Sequence, residues 1–285
     1  MPHPAAPPVA IAGLGFLGRA LADALAAELA PAELPIRAVT RTCPEAPVPE
    51  AIRLHALDLR TAAPADIAAA LGPARSLVIC LAAGRTQDPR DLYLGATARL
   101  LAAAGDRLAR VVYTSSTSAL PDRDAWLDDD CPDPPEHARG QIQRAAEDLV
   151  RTACEARDIP WTILRLAGLY GPGRPLFRIY RDDPGATQPG DGMQATNLVH
   201  RDDAVAACIA ALALPPDIRA VVNVCDDDHR SRRAMFAALA AAAGRPEPTW
   251  ELPAGPLHGK RVGNDRLKRL LGVTLRHPEH DLASV

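Results

Sequence analysis

Apolar residues along this chain fall into short continuous runs separated by stretches with a helical period. The runs at 9–12, 36–40, 54–57, 77–81, 111–114, 161–166 and 221–224 each predict a strand. Leu77-Val78-Ile79-Cys80-Leu81 is apolar throughout, as expected of a parallel strand covered on both faces. Between the runs, apolar positions recur every three or four residues. Leu21, Leu25 and Leu29 share one face over 19–29, a second helix is expected over 92–104, and Ile142, Ala146, Leu149, Val150 and Ala153 stripe a third over 140–157. Strands and helices alternating in this way predict an α/β fold, a Rossmann-type doubly wound parallel sheet.

Past residue 172 the pattern loosens. Gly171-Pro172-Gly173-Arg174-Pro175 and Asp183-Pro184-Gly185 interrupt regular structure. Short helices are expected at 203–212, at 231–243 (closed by Gly244), and after Asn264, which can cap a helix carrying Leu267, Leu270 and Leu271. The expected organisation is a dinucleotide-binding domain over 1–172, its sheet completed by 197–227. Residues 173–196 and 228–285 would form a small C-terminal substrate cap.

Bulk properties narrow the field. The 285 residues carry a net charge of -3 and are 48% hydrophobic, so no basic excess points to nucleic acid. No apolar run reaches the roughly 18 residues of a membrane span. Met1-Pro2-His3-Pro4 lacks the charged start of a signal peptide, and the expected location is cytoplasmic. The six cysteines never form a CxxC, which suits free thiols in a reducing compartment and no metal site. Asp128-Asp129-Asp130 and Asp226-Asp227-Asp228 read as solvated loops, because consecutive carboxylates cannot all face one ion.

The strongest chemical motif is Gly13-Leu14-Gly15-Phe16-Leu17-Gly18, a GxGxxG between a strand and a helix. Gly13 allows the tight turn, Gly15 lets a pyrophosphate approach the backbone, and Gly18 lets helix and strand pack closely. The helix N-terminus offers N–H groups and partial positive charge to phosphates. The second strand ends in Thr40-Arg41-Thr42, without the carboxylate that grips an NAD ribose and with an arginine suited to a 2′-phosphate. The expected cofactor is NADP(H), with NAD(H) second. Asp58, after the third strand, is a candidate adenine contact.

Five further blocks carry a resemblance: Leu81-Ala82-Ala83, Thr114-Ser115-Ser116-Thr117, 164–173, Asn197-Leu198-Val199-His200-Arg201-Asp202-Asp203, and Gly259-Lys260-Arg261-Val262-Gly263-Asn264-Asp265-Arg266-Leu267. In this order, with the glycine motif, they resemble the extended short-chain dehydrogenase/reductases, the NAD-dependent epimerase/dehydratase family. The resemblance implies Ala82 and Ala83 beside the cofactor and Ser116 as the catalytic Ser/Thr. That family's usual catalytic set adds Tyr-x-x-x-Lys. Here the residues four past Tyr93, Tyr113, Tyr170 and Tyr180 are Thr97, Thr117, Arg174 and Pro184, and the only lysines are Lys260 and Lys268. With Glu147 matched to the family's acid, Arg139 falls at the Tyr position and Gln143 at the Lys position.

Arg139 stays protonated, so it can clamp an anion but not shuttle a proton. Gln143 can hydrogen-bond a ribose. His137 is the nearest candidate for moving a proton. Tyr170, Arg174, Phe177 and Asn197 are candidate substrate contacts, whereas His200 reads as structural and Asp202 and Asp203 as helix caps. The first expectation is an atypical NAD(P)-dependent oxidoreductase acting on a small metabolite, anionic or an imine. The alternatives are a non-redox isomerase, lyase or cyclase, and a non-catalytic NADP-binding sensor or partner protein. A homodimer through the helices near 92–104 and 140–157 is also open.

Overall fold

The computed structural model describes residues 8–28, 36–44, 46–84, 88–176 and 187–280. Seven strands, all parallel, form the central sheet: β1 (Val9–Ala12), β2 (Ile36–Thr40), β3 (Ile52–Ala56), β4 (Ser76–Ile79), β5 (Arg110–Ser116), β7 (Trp161–Leu166) and β10 (Ala220–Val224). Their spatial order is β10-β7-β5-β4-β1-β2-β3. β1, β4, β7 and all of β5 but Ser116 are buried, in keeping with their largely apolar sequences.

One face of the sheet is covered by α1 (Phe16–Glu28) and α5 (Arg201–Leu212), which pack Leu21, Leu25, Val205 and Cys208 against Ile11, Val78 and Leu164. The other carries α2 (Pro64–Leu71), α3 (Thr97–Ala104) and α4 (Ala138–Glu155) over Leu77, Ile79, Val111 and Ile163. α1 starts three residues before the expected 19, because the helix begins inside the glycine motif. The helix expected over 92–104 has two parts, a π-helical segment Asp91–Ala96 followed by α3.

Beyond the sheet, α6 (Arg232–Ala242) packs Met235, Phe236 and Leu239 against Tyr170, Leu176 and Leu198 in a separate small core. Two short parallel pairs frame it: β8 (Gly168–Tyr170) with β9 (Leu198–His200), and β6 (Trp126–Leu127) with β11 (Arg261–Val262). α7 (Asp265–Arg269) follows β11. Val262, Leu267, Leu271 and Val273 join the main core. No helix among the described residues is long and apolar enough to cross a membrane.

Residues 258–280 form a strap that ties the loops following β5, β9 and β10. Asn264 does not cap α7 with its side chain; its Nδ2 donates to Cys225 O, Asp226 O and Asp227 Oδ1. Asp203 is fully buried and accepts from Arg276 N and His277 N at 2.8 and 3.0 Å, while His200 Nδ1 accepts from Asp202 N and caps α5. The expected pair of aspartate caps is therefore replaced by a histidine cap and a buried anchor. His277 stacks on His200 at 3.7 Å between ring centres, and with Asp202 their ligand-type atoms lie within 4.8 Å. Stacked rings, one already accepting a backbone N–H, suit packing better than chelation.

In the second aspartate run Asp227 is exposed, but Asp226 and Asp228 are buried. Asp226 and His280 have fully buried side chains, and His280 lies between Asp226 Oδ2 at 3.6 Å and Asp228 Oδ2 at 3.5 Å. Burial pushes the Asp226 carboxyl up to about 8 and the His280 imidazole down to about 4. In the first run, Asp129 is buried and accepts from Asn223 N at 2.5 Å. Asp128, Asp130 and Asp227 are exposed as expected; the buried members of the two runs were missed because a strap and a neighbouring strand supply partners from far along the chain.

Candidate functional site

A cleft of about 330 Å³ opens at the carboxyl ends of β1 to β4. Gly13, with φ of 99°, turns the chain there, and a Cβ on it would strike the Cys80 carbonyl. A Cβ on Gly18 would overlap the Gly13 carbonyl oxygen, so only glycine lets α1 meet β1 so closely. Gly15 has nothing within 4 Å of where its Cβ would be and borders open space. Phe16 and Leu17 begin α1, whose first turn has no acidic residue. Their N–H groups therefore keep hydrogen-bonding capacity beside Gly15. Leu17 turns its side chain into the core, while the guanidinium groups of Arg174 and Arg201 lie 5.8 and 5.5 Å from the Phe16 ring centre.

The far wall is cationic. Arg41 is exposed at the end of β2, in a turn held by Thr40 Oγ1 donating to Thr42 O. Asp58 also lines the cleft, but Arg60 Nε and a terminal Arg60 nitrogen donate to its carboxylate at 2.9 and 2.6 Å. These bonds hold the Asp58 pKa down to about 2. Arg60 itself lines the cleft, a residue sequence reasoning did not single out. Ala82 lines the opposite side, and Ala83 N donates to the Tyr93 hydroxyl at 3.1 Å.

Ser116 closes β5. Its Oγ accepts from Ser118 N at 3.1 Å, which leaves its own proton to donate. α4 begins against this turn, since a Cβ on Gly140 would strike Ser118 O. His137 caps α4: its Nδ1 accepts from Gly140 N at 2.9 Å, so its proton sits on Nε2, 3.5 Å from Asp122 Oδ2. Nδ1 is thus taken up by the cap, and Nε2 lies near the exposed Asp122 carboxylate without a hydrogen bond to it. Arg139, Gln143 and Glu147 follow at four-residue intervals along α4. Arg139 is exposed, whereas Gln143 is 4% exposed and its Oε1 is buried without a hydrogen-bond partner. Glu147 is sealed in: Ser115 Oγ donates to it at 2.6 Å, and Arg165 does so through Nε at 3.0 Å and a terminal nitrogen at 2.8 Å.

Tyr170 is buried with its ring edge-on to His200. Phe177 lies outside the described residues. Asn197 Nδ2 donates to Lys260 O and its Oδ1 accepts from Val262 N, so both ends of the amide hold the strap. Lys260 Nζ pairs with Asp122 Oδ1 at 2.7 Å and donates to Thr117 O at 3.2 Å. One of the chain's two lysines therefore braces the Ser116 turn from the far end of the sequence. Its only signal was its scarcity.

The chain is similar to Protein YeeZ of Escherichia coli strain K12, at 32% identity over 282 residues covering 95% of this chain and 96% of that protein. It is also similar to a 3-diazoavenalumate denitrifying reductase from a Streptomyces species, at 27% identity over 208 residues, 64% of this chain and 66% of that one. Among solved structures, MoeE5 in complex with UDP-glucuronic acid and NAD superposes with a TM-score of 0.79 at 25% identity, covering 97% of each chain. The family model for NAD dependent epimerases/dehydratases matches residues 9–225, from the first strand of the glycine cradle to the end of the last strand of the sheet. With that span and the cradle geometry in agreement, this chain belongs to the NAD-dependent epimerase/dehydratase family.

Proposed function

We propose that this protein is an NADP-preferring oxidoreductase that reduces a small, electron-poor, anionic acceptor without a tyrosine–lysine pair. The cradle carries this reading: Gly15 borders open space at the start of α1, and Arg41 and Arg60 stand on the far wall with no carboxylate at the end of β2. Arg41 and Arg60 are assigned to the 2′-phosphate, the Phe16 and Leu17 N–H groups to the pyrophosphate, and the unpartnered Gln143 Oε1 to a hydroxyl of the nicotinamide ribose. When bound, the nicotinamide supplies the hydride. Ser116 donates a hydrogen bond to the acceptor, and Arg139 pairs with its negative group.

His137 Nδ1 is committed to capping α4 with Nε2 beside Asp122, and Arg139 cannot release a proton. An acceptor that is already cationic, such as an iminium, or a diazonium form that takes hydride and releases N2, needs no acid. The name of the Streptomyces relative, a reductase of a diazo compound, agrees with this chemistry. The engagement of His137 also favours a second reading, an NADP-binding protein with non-redox or no catalysis.

Titration with NADPH and NADH by fluorescence and thermal shift tests the first reading. NADPH is expected to bind at least about tenfold more tightly, with the gap lost in Arg41→Ala/Arg60→Ala. NADPH absorbance is then followed with iminium and diazo acceptors. Binding without turnover of either class would leave the second reading, and equal binding of the two cofactors would remove the NADP assignment.

A further inference from the structure

We propose that Trp126 and His229 form a recognition subsite for a planar aromatic ring bearing a hydrogen-bond donor, such as a phenol. The proposal rests on the oxidoreductase reading and names the class of substrate that site takes. Trp126 is 62% exposed, the most exposed large hydrophobic residue among those described. It is nonetheless held firmly. β6 consists of Trp126 and Leu127 alone, and it pairs with Arg261 and Val262 of β11. Arg261 is pinned by Asp124 at 2.9 Å, and the backbone on either side of it is gripped by Asn197. A large ring exposed on a fixed strand offers a flat face that costs no ordering when a ligand stacks on it.

The His229 ring stands against Trp126 at 4.9 Å between centres and an angle of 85°. Its Nδ1 lies 3.3 Å from the Thr196 carbonyl, an acceptor only, so Nδ1 carries the ring proton and Nε2 is left with a lone pair. Partial burial lowers the His229 pKa, which keeps that lone pair available at neutral pH. No protein group donates to Nε2 among the described residues. The pair therefore offers one stacking face and one fixed acceptor.

Its place in the fold puts it on the side of the sheet where a substrate would enter. Trp126 follows β5, and His229 follows β10, both beyond the carboxyl ends of parallel strands, where such sheets bind ligands. Asn197, next to the Thr196 that orients His229, holds Lys260, and Lys260 donates to the Thr117 carbonyl beside Ser116. The subsite is thus joined by direct contacts to the turn that carries the proposed hydroxyl donor.

The test uses the full chain with and without saturating NADPH. It measures affinity for para-hydroxybenzoate, para-methoxybenzoate and the ring-saturated analogue of para-hydroxybenzoate by calorimetry. The phenol is expected to bind about tenfold more tightly than the saturated analogue and several-fold more tightly than the methoxy compound. Trp126→Leu should erase the first gap and His229→Phe the second, with NADPH affinity and melting temperature unchanged in both. Equal affinities for planar and saturated rings, binding of none of the three, or a gap that survives in Trp126→Leu would overturn the proposal. Failure of NADPH to bind while both gaps persist in the cofactor-free protein would remove the oxidoreductase reading and leave the subsite standing.

Discussion

Removing the guanidinium of Arg165 tests how α4 is tied to the sheet. Arg165 and Glu147 are each 2% exposed, and Arg165 Nε and a terminal nitrogen reach the carboxylate at 3.0 and 2.8 Å. Arg165→Met keeps the volume of the stem but leaves a buried carboxylate with Ser115 Oγ as its remaining partner. Breaking one side of a buried ion pair costs about 3–5 kcal/mol. For a chain of this size each kcal/mol lowers Tm by about 2–4 °C, so a fall of roughly 6–20 °C is expected. Glu147→Leu/Arg165→Met removes both charges together. What remains is an orphaned Ser115 hydroxyl and the Asp129 carbonyl that Arg165 served, costing about 1–3 kcal/mol. The double variant should therefore be more stable than Arg165→Met alone, as read by urea denaturation followed by circular dichroism. If the double variant loses the sum of the two single losses, the pair is not coupled and the account of α4 anchoring is wrong.

Gly18→Ala drives a methyl group into the Gly13 carbonyl, so NADPH binding should be lost in calorimetry and Tm should fall, whereas a binding-competent variant would refute the packing role given to this glycine. Asp226, near 8 in the fold against about 3.9 unfolded, keeps a proton that the unfolded chain releases, so it makes stability fall as pH rises from about 4 to 8. His280, near 4 against about 6.5, makes stability rise over about 4 to 6.5 and cancels the first effect there. The net expectation is a loss of about 2 kcal/mol between pH 6.5 and 8, absent in Asp226→Asn and measurable by urea titration across pH. Lys260→Met strips the brace from the Thr117 carbonyl and leaves Asp122 paired only with His137, so turnover should suffer while NADPH affinity holds; a matching loss of NADPH affinity would place the brace elsewhere.

The strands of the sheet were legible because burial on both faces writes an unbroken apolar run. β3 was expected at 54–57 and lies at Ile52–Ala56, because an edge strand with exposed Arg53 and half-buried Leu54 and His55 carries no clean run. α2 was not foreseen: Pro-Ala-Asp-Ile-Ala-Ala-Ala-Leu offers only Ile67 and Leu71 as large apolar contrast. The two- and three-residue strands are shorter than any period. At the site, the glycine loop is a local motif and local sequence revealed it. Arg60 was hidden because its role is set by Asp58 and by the cleft wall opposite. Lys260 and Thr117 lie 143 residues apart, and no local spacing records such a contact.

The strap has a consequence for the order in which the molecule is made. Every strand of the sheet precedes residue 225, yet the turn beside Ser116, the loop bearing His229 and the entry to α5 are fixed by Lys260, Asn264, Arg276, His277 and His280. Synthesis therefore produces a complete cofactor cradle well before it produces a finished substrate side. A nascent chain that has just completed the last strand of the sheet carries every residue of the glycine cradle while its reacting end is still unassembled.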